Sequence, residues 1–263
     1  MVQPQWEPSA EGVAGARITD FARFAGNRTG QEFGDYRTLW QWSVEDLTGF
    51  WGTLWEYFDL GDAPATVLSG TEMPGVRWFP GQQLNYVDQI ARHARTERPA
   101  IVYADEAGEL IEISWAELLG RAASFAATLR ELGVGPGDRV IGYLPNIPEA
   151  VIAFLGAAGI GAVWSACGQD YSAKAALDRL GQLEPAVLVT ADGYRYGGKQ
   201  HDKTADIAAL RDGLPGLRAT VVVSRLGHVV PDVLDWSAVA GPDGELFPER
   251  VDFDHPLWVL FSS

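Results

Sequence analysis

Between residues 139 and 223, short apolar runs alternate with longer segments in which apolar and polar positions are mixed. The short runs predict buried strands, and apolar positions spaced three or four residues apart predict helices between them. Strands that are apolar almost throughout and alternate with helices are typical of a doubly wound α/β domain with a mostly parallel sheet. The predicted strands are 139–144, 162–165, 186–190, 220–223 and, after an irregular stretch, 257–261. A capped helix is predicted to start over 146–149, and further helices are predicted over 172–183 and 204–210.

The segment that precedes this sheet has helix and hairpin signals. Apolar spacing predicts a short helix over 85–95, and turn-forming residues join 101–104 to 110–113 in a predicted hairpin. Ser114 and Glu117 form the Ser-x-x-Glu pattern in which two reciprocal hydrogen bonds fix the start of a helix. A longer helix is therefore predicted directly after the hairpin.

The N-terminal region is rich in aromatic residues. Ser43 is a good N-cap, and the apolar positions after it fit one helix face, namely Leu47, Phe50, Trp51, Leu54, Trp55 and Phe58. Residues 59–82, with many Gly, Pro and Asp, predict an irregular connection. We expect residues 1–82 to be a helical, aromatic-rich extension that packs on the main body, formed by residues 83–263. The alternative is that the apolar stripe lines a groove for a ligand or a partner.

Composition narrows the class of protein. The 263 residues include 20 Lys and Arg against 35 Asp and Glu, a net charge of −15, which argues against a nucleic-acid or anionic membrane surface. Cys167 is the single cysteine, so neither an intrachain disulfide nor a cysteine-based zinc site is expected, and the four scattered histidines predict no metal site. The first residues lack a secretory leader. These features favour a cytoplasmic protein.

The uncharged stretch 150–169 is about long enough to cross a bilayer, but glycines interrupt it and acidic residues flank it. It is better interpreted as a buried helix followed by a buried strand. The last predicted strand, 257–261, leads directly into Ser262 and Ser263. Because strands of such sheets normally lead into a loop and a covering helix, we expect the natural protein to continue.

Two loops follow predicted strands, where α/β sheets bind ligands. In the first, 165–171, Gly168 would allow a ligand to approach the backbone closely. In the second, 192–199, Arg195 and Lys199 flank two glycines and form a basic stretch in an acidic protein, with Tyr194 and Tyr196 as stacking faces. A phosphorylated ligand with a ring would suit the second loop. The residues by themselves leave open whether either loop is a site or plain surface.

Several stretches resemble the adenylate-forming acyl-CoA synthetases. They are 113–118, 132–140 and 145–150 with 159–162, together with the closing 260–263, which resembles the strand that leads to the phosphate-binding loop of that superfamily. Segments 35–43 and 78–86 resemble the branch that contains acetyl-CoA synthetase. Segments 164–171, 178–182 and 191–199 are most similar to the members that activate acetoacetate.

The resemblance implies a two-step ligase. ATP and acetoacetate would give an acyl-adenylate and pyrophosphate, with Mg²⁺ offsetting phosphate charge, and the thiol of coenzyme A would then displace AMP. The partners would be these small molecules and a mobile C-terminal domain of the same chain. One alternative is a ligase for another short carboxylic acid such as acetate. Another is a non-catalytic α/β binding module, because residues 1–263 contain no complete catalytic constellation.

Site residues follow from the resemblance position by position. Ser262 and Ser263 match the start of the loop that binds the ATP phosphates. The expected coenzyme A residues are Arg195 at the 3′-phosphate end, Lys199 and Gly198 beside it, and Gly168 and Gln169 near the pantetheine channel. No catalytic or metal-binding residue is expected within 1–263, and the acyl pocket is expected to be formed by later residues.

Overall fold

The computed structural model describes residues 5–95, 97–106 and 108–261. The chain divides into two compact units, one ending at Gln82 and the other beginning at Gln83. The first unit consists of helices and one short antiparallel ribbon. Its elements are α1 (Ala10–Ala14), α2 (Arg17–Thr29), α3 (Tyr36–Glu45), α4 (Leu47–Tyr57), β1 (Leu68–Ser69) and β2 (Arg77–Trp78).

The single helix predicted to start at Ser43 is in fact two helices. Ser43 lies inside α3, where its hydroxyl donates to the Trp40 carbonyl, so its predicted role as N-cap is wrong. The helix is interrupted at Asp46, whose backbone is not helical. The Asp46 carboxylate accepts from the Gly49 N–H at 2.8 Å and so caps α4. Apolar spacing continues across this break, which is why the periodicity alone did not reveal it. The predicted irregular connection 59–82 contains the β1–β2 ribbon.

Aromatic rings hold the first unit together. Trp42 packs against Phe33 and Phe50 with ring centroids 4.9 and 5.4 Å apart. In α4, Trp55 is nearly completely buried and lies 4.7 Å from the Phe79 ring. Part of the predicted apolar stripe therefore packs within its own unit. Its packing on the main body stays a prediction.

The second unit contains the predicted α/β sheet. Its elements are β3 (Gln83–Leu84), α5 (Tyr86–Ala91), β4 (Ile101–Ala104), β5 (Leu110–Ile113), α6 (Trp115–Glu131), β6 (Arg139–Tyr143), α7 (Pro148–Gly159), β7 (Val163–Cys167), α8 (Ala173–Leu180), β8 (Val187–Ala191), β9 (Gly193–Tyr196), β10 (Lys199–Asp202), α9 (Thr204–Gly213), β11 (Ala219–Val223), β12 (Leu234–Asp235), α10 (Trp236–Val239) and β13 (Val251–Asp252).

The central sheet has the order β12-β11-β8-β6-β7, and every neighbouring pair in it is parallel. Alternate residues of each strand enter different cores: Val140 packs with residues of α6 and α7, whereas Ile141 packs with residues of α8 and α9. Helices therefore cover both faces, which explains why the strands are apolar almost throughout. The predicted fold class is confirmed.

Three predicted details are wrong. Ile147 precedes α7 without a side-chain capping bond, so the expected cap at 146–149 is absent. The helix predicted over 172–183 ends as α8 at Leu180, and a 3₁₀ turn follows. Segment 257–261 is an edge segment with one bridge, Trp164 to Trp258, and Leu260 is 74% exposed. Among the described residues its backbone pairs with β7, and the side chains of Trp258 and Leu260 are exposed, so the segment is not the predicted buried strand.

None of the described helices is long and apolar enough to cross a membrane. The uncharged stretch 150–169 is divided between α7 and β7, as the sequence predicts.

Candidate functional site

A cavity of about 1060 Å³ opens at the carboxyl ends of the parallel strands. The strand order places it at the point where β7 joins one side of β6 and β8 the other, and open α/β sheets bind ligands at such crevices. The lining comes from five segments that are distant in sequence, namely 102–106, 144–147, 168–170, 194–196 and 225–226. We call the part at the ends of the parallel strands the floor, together with the buried residues that are next to it in the chain or hydrogen-bonded to it. We call the part formed by the β4–β5 and β9–β10 hairpins the mouth.

Gln169 anchors the loop that follows β7. Its side chain is 1% exposed, and its Nε2 donates to the Ala191 carbonyl at 2.7 Å and to the Thr190 hydroxyl at 3.2 Å. The Thr190 hydroxyl in turn donates to the Tyr143 carbonyl at 2.9 Å. Within the described residues the Gln169 Oε1 has no hydrogen-bond partner. The floor therefore contains a fixed side chain with one acceptor to spare.

Gly168 allows a neighbouring side chain to approach closely, whereas the predicted approach of a ligand stays a prediction. A Cβ at position 168 would overlap the Asp170 carboxylate. The loop is thus shaped by its own acidic residue, whose carboxylate lies beside the glycine.

Burial keeps two ionisable side chains of the floor, those of Cys167 and Tyr143, uncharged near neutral pH. It raises the pKa of the Cys167 thiol to about 11 and also raises the pKa of the Tyr143 phenol, whose hydroxyl donates to the Tyr171 carbonyl. Cys167 is therefore a thiol and not a thiolate near neutral pH.

Asp192 fixes the loop after β11. Its fully buried carboxylate accepts from the backbone N–H groups of Arg225, Leu226 and His228 at 2.6, 3.0 and 2.8 Å. A buried carboxylate costs free energy unless such donors satisfy it. This single side chain from the end of β8 therefore sets the position of Arg225 at the cavity.

Sequence reasoning missed Arg225. Its guanidinium lies 3.2 Å from the Tyr103 hydroxyl and 3.7 Å from an Asp105 carboxylate oxygen. It comes directly after the carboxyl end of a predicted strand, so the rule that drew attention to the other two loops would have found it. Because the Asp105 carboxylate lies beside it, Arg225 is a weaker anion site than an arginine without an acidic neighbour.

Residues 193–202 form a tight hairpin rather than a flexible loop. Gly197 and Gly198 have φ values of +60° and +71°, the left-handed conformation that a two-residue hairpin turn requires. Arg195 and Gln200 are cross-strand partners, whereas Lys199 pairs with Tyr196 and therefore points to the other face. The two cations do not converge.

Arg195 carries the available positive charge at the cavity. With the Gln200 amide oriented so that its oxygen faces the guanidinium, that oxygen accepts from Nη2 and Nη1 at 2.9 and 3.0 Å. In the part of the chain that the structure describes, Arg195 forms no ion pair. The guanidinium is thus oriented by a neutral group and keeps its full charge for an anion.

Glu106, from the β4–β5 turn, binds the hairpin turn. Its two carboxylate oxygens accept from the N–H groups of Gly197 and Gly198 at 2.7 and 3.1 Å. These hydrogen bonds, the one from Gly198 first, lower the pKa of Glu106. The sequence gives no sign of this contact, because 91 positions separate Glu106 from Gly197.

The structure brings Gly168, Gln169 and Arg195 to one cavity. Gly198 and Lys199 are adjacent to it but are not among its lining residues. Ser262 and Ser263 lie outside the described residues. The ligand roles of all seven residues stay predictions. Among the described residues, no group of three His, Cys, Asp or Glu side chains could hold a metal ion.

A parallel sheet with a cavity at its switch point is the architecture of many nucleotide-binding enzymes. Comparison with known proteins identifies the family. The model of the AMP-binding enzyme family matches residues 87–263, more than half of the chain. The chain belongs to this family. A second model, that of the acetyl-coenzyme A synthetase N-terminus, matches residues 36–90. The resemblance to adenylate-forming synthetases is confirmed.

Individual relatives narrow the resemblance. The acetoacetyl-coenzyme A synthetase of Rhizobium meliloti is 32% identical over 99% of this chain, and that of Mus musculus is also 32% identical over 99%. The solved acetoacetyl-CoA synthetase from Streptomyces lividans is 48% identical, with a TM-score of 0.95 over 99% of this chain. The chain spans 41% of the length of each of these three proteins.

Proposed function

We propose that this chain is part of a ligase that activates acetoacetate with ATP and transfers the acetoacetyl group to coenzyme A. The observation that carries the proposal is the 48% identity to a solved acetoacetyl-CoA synthetase along nearly the whole chain. The products would be acetoacetyl-CoA, AMP and pyrophosphate.

The two half-reactions have a simple physical logic. A carboxylate is a poor acyl donor because its leaving group would be an oxide ion, and AMP replaces that group with a stabilised phosphate. Attack by the coenzyme A thiol then releases AMP and forms the thioester. Mg²⁺ bound to ATP would offset phosphate charge, but we assign no residue of this chain to the metal.

The cavity fits the two ends of coenzyme A differently. At the mouth, the unpaired Arg195 guanidinium suits the 3′-phosphate, because guanidinium groups bind phosphate oxygens with two parallel hydrogen bonds. At the floor, the pantetheine arm would lie along the loop of Gly168 and Gln169, which lines the cavity at the end of β7.

Lys199 and Gly198 have a lesser part in this assignment. Lys199 lies on the other face of the hairpin, so it would raise the positive potential at the mouth without a direct contact to the same phosphate. The Gly198 N–H already donates to Glu106. Ser262 and Ser263 remain assigned to the ATP phosphates through the family motif.

The activity is tested by pyrophosphate exchange into ATP, catalysed by the full-length protein that contains this chain. Acetoacetate, acetate, butyrate and malonamate are compared as substrates, each without coenzyme A. We expect acetoacetate to support the fastest exchange. Exchange with acetate but not with acetoacetate would contradict the substrate assignment, and no exchange with any acid would favour a non-catalytic binding module.

A ligase for a different short acid is the second candidate. The malonamoyl-CoA synthetase of Penicillium aethiopicum is 28% identical over 92% of this chain. The same chain architecture therefore occurs in a protein named for another acyl group. The four acids in the exchange assay distinguish the two candidates.

A further inference from the structure

The mouth of the cavity offers an anion two kinds of partner, and only one of them is available. The N–H groups of Gly197 and Gly198 point to one place, as in the backbone concavities that bind phosphate. The Glu106 carboxylate occupies that place with both of its oxygens. Among the described residues, the Arg195 guanidinium, two positions before the turn, is hydrogen-bonded to the neutral Gln200 oxygen and to no carboxylate.

We propose that Glu106 is a positioning residue for Arg195. By holding the Gly197–Gly198 turn, it fixes the β9–β10 hairpin at the cavity so that the guanidinium can meet the 3′-phosphate of coenzyme A. This inference rests on the proposed function. It adds a residue from a different hairpin, which neither the sequence nor the family motifs assign.

The charge arrangement supports positioning rather than neutralisation. Glu106 and Arg195 both line the cavity, yet in the described part of the chain they form no ion pair. Because backbone N–H groups satisfy the carboxylate, it does not pair with the guanidinium. The same hydrogen bonds lower the pKa of Glu106. Its carboxylate is therefore ionised at neutral pH, and the contact with the turn persists there.

The arrangement also directs the phosphate. A phosphate that bound the turn amides would have to displace a carboxylate already held by two hydrogen bonds. No carboxylate of the described residues binds Arg195 in this way. Other charged groups at the cavity are Asp105, Asp170 and Arg225, and Arg225 lies near the Asp105 carboxylate.

The test measures binding of coenzyme A and of 3′-dephospho-coenzyme A to the full-length protein by isothermal titration calorimetry. Three proteins are compared: the parent, Glu106→Gln and the control Glu109→Gln. The control removes a carboxylate from the same β4–β5 segment, where Glu109 forms no hydrogen bond or ion pair with any described residue.

For Glu106→Gln we expect the Kd of coenzyme A to rise about fivefold, a moderate value because the contact is solvent-exposed. The Kd of the dephospho form should stay the same, and Glu109→Gln should match the parent for both ligands. In an Arg195→Ala background, adding Glu106→Gln should have no further effect on coenzyme A binding, since the two residues act in series.

Equal losses for both ligands would overturn the proposal, because they would indicate general distortion of the cavity. Tighter binding of coenzyme A by Glu106→Gln would also overturn it and would make Glu106 a competitor of the phosphate. A parent protein that binds both ligands equally would contradict it as well. The exchange assay with acetoacetate reports separately on the proposed function, so a protein without exchange could still support the positioning role.

Discussion

The floor and the mouth of the cavity differ in what holds their side chains. In the floor, Gln169, Thr190 and Asp192 are buried, and backbone groups of neighbouring strands and loops fix them. In the mouth, Arg195 and Glu106 lie on surface hairpins: Arg195 donates to the Gln200 amide oxygen, and Glu106 accepts from the N–H groups of the glycine turn. The floor is thus a product of folding, whereas the mouth is assembled on top of it. Substitutions in the floor should change stability, and those in the mouth should change ligand affinity.

The largest effect is expected for Asp192→Ala. The change leaves the N–H groups of Arg225, Leu226 and His228 without their acceptor. We expect the free energy of unfolding to fall by about 3–4 kcal/mol, because each donor loses its partner in a partly buried place. Urea denaturation of the full-length protein measures the loss. The matched control is Asp212→Ala, at an exposed position of α9, which should change the free energy of unfolding little. A small loss for Asp192→Ala would mean that solvent satisfies the loop and that the floor is not rigid there.

Arg195→Ala should affect binding rather than stability. Loss of one charge-assisted phosphate contact is expected to weaken the use of coenzyme A by about 1.5–3 kcal/mol, with less effect on adenylation. The measurement compares the KM for coenzyme A with the rate of pyrophosphate exchange. Lys199→Ala, which removes a cation from the other face of the same hairpin, should have a smaller effect. Equal effects of the two substitutions would show that net charge at the mouth matters more than the geometry of Arg195.

Thr190→Val removes a hydroxyl from the floor without changing its volume. The Tyr143 carbonyl loses a donor, while the Gln169 Nε2 keeps the Ala191 carbonyl. We expect a loss of stability of about 1 kcal/mol. Thr220→Val on β11 is the control, since the Thr220 side chain forms no hydrogen bond within the described residues. If Thr190→Val and Thr220→Val lose the same stability, the hydrogen bonds of the Thr190 hydroxyl do not stabilise the floor.

The last prediction requires no substitution and concerns Cys167, which should stay protonated at neutral pH. In the unfolded chain a thiol ionises at about pH 8.5, whereas burial raises the pKa of Cys167 to about 11. Alkylation by iodoacetamide, followed by mass spectrometry, should be at least about a hundredfold slower in the folded protein at pH 8.5. The rate should keep rising with pH up to about 11.

The sign of the linked stability change follows from the same shift. The folded state holds the Cys167 proton more tightly than the unfolded state, so this contribution is complete below about pH 8.5. It is lost as the pH rises towards about 11. A labelling rate that levels off below pH 9 would contradict the raised pKa of Cys167.

Much of the fold was predictable because its signals are local. The apolar runs at 139–144 and 186–190 form strands β6 and β8, displaced by at most one residue at each end. Strand ends also indicated the loops at Gly168 and Arg195, since ligands bind at the carboxyl ends of parallel strands. Boundaries between helices were less predictable. Asp46 interrupts an apolar stripe that continues in phase on both sides, so periodicity alone missed the break.

The site could be predicted only in part. A Gly-Gly pair is a known signal for a two-residue hairpin turn. A hairpin predicted from Gly197 and Gly198 would have placed Arg195 and Lys199 on opposite faces of that hairpin. The contact of Glu106 with this turn has no such signal, because the two segments are far apart in the chain and a surface glutamate is ordinary. The same is true of Asp192, whose burial depends on how three loops pack.

The sequence by itself determined the class of fold, the family and the chain positions at which ligand-binding loops follow strands. Its apolar periodicity and turn residues act over short distances, so they can be read without coordinates. Only the tertiary structure decided that Asp192 holds Arg225, that Glu106 binds the hairpin turn and that Arg195 keeps its charge. Each of these depends on a hydrogen bond or on the absence of one between distant segments, and folding alone brings such segments together.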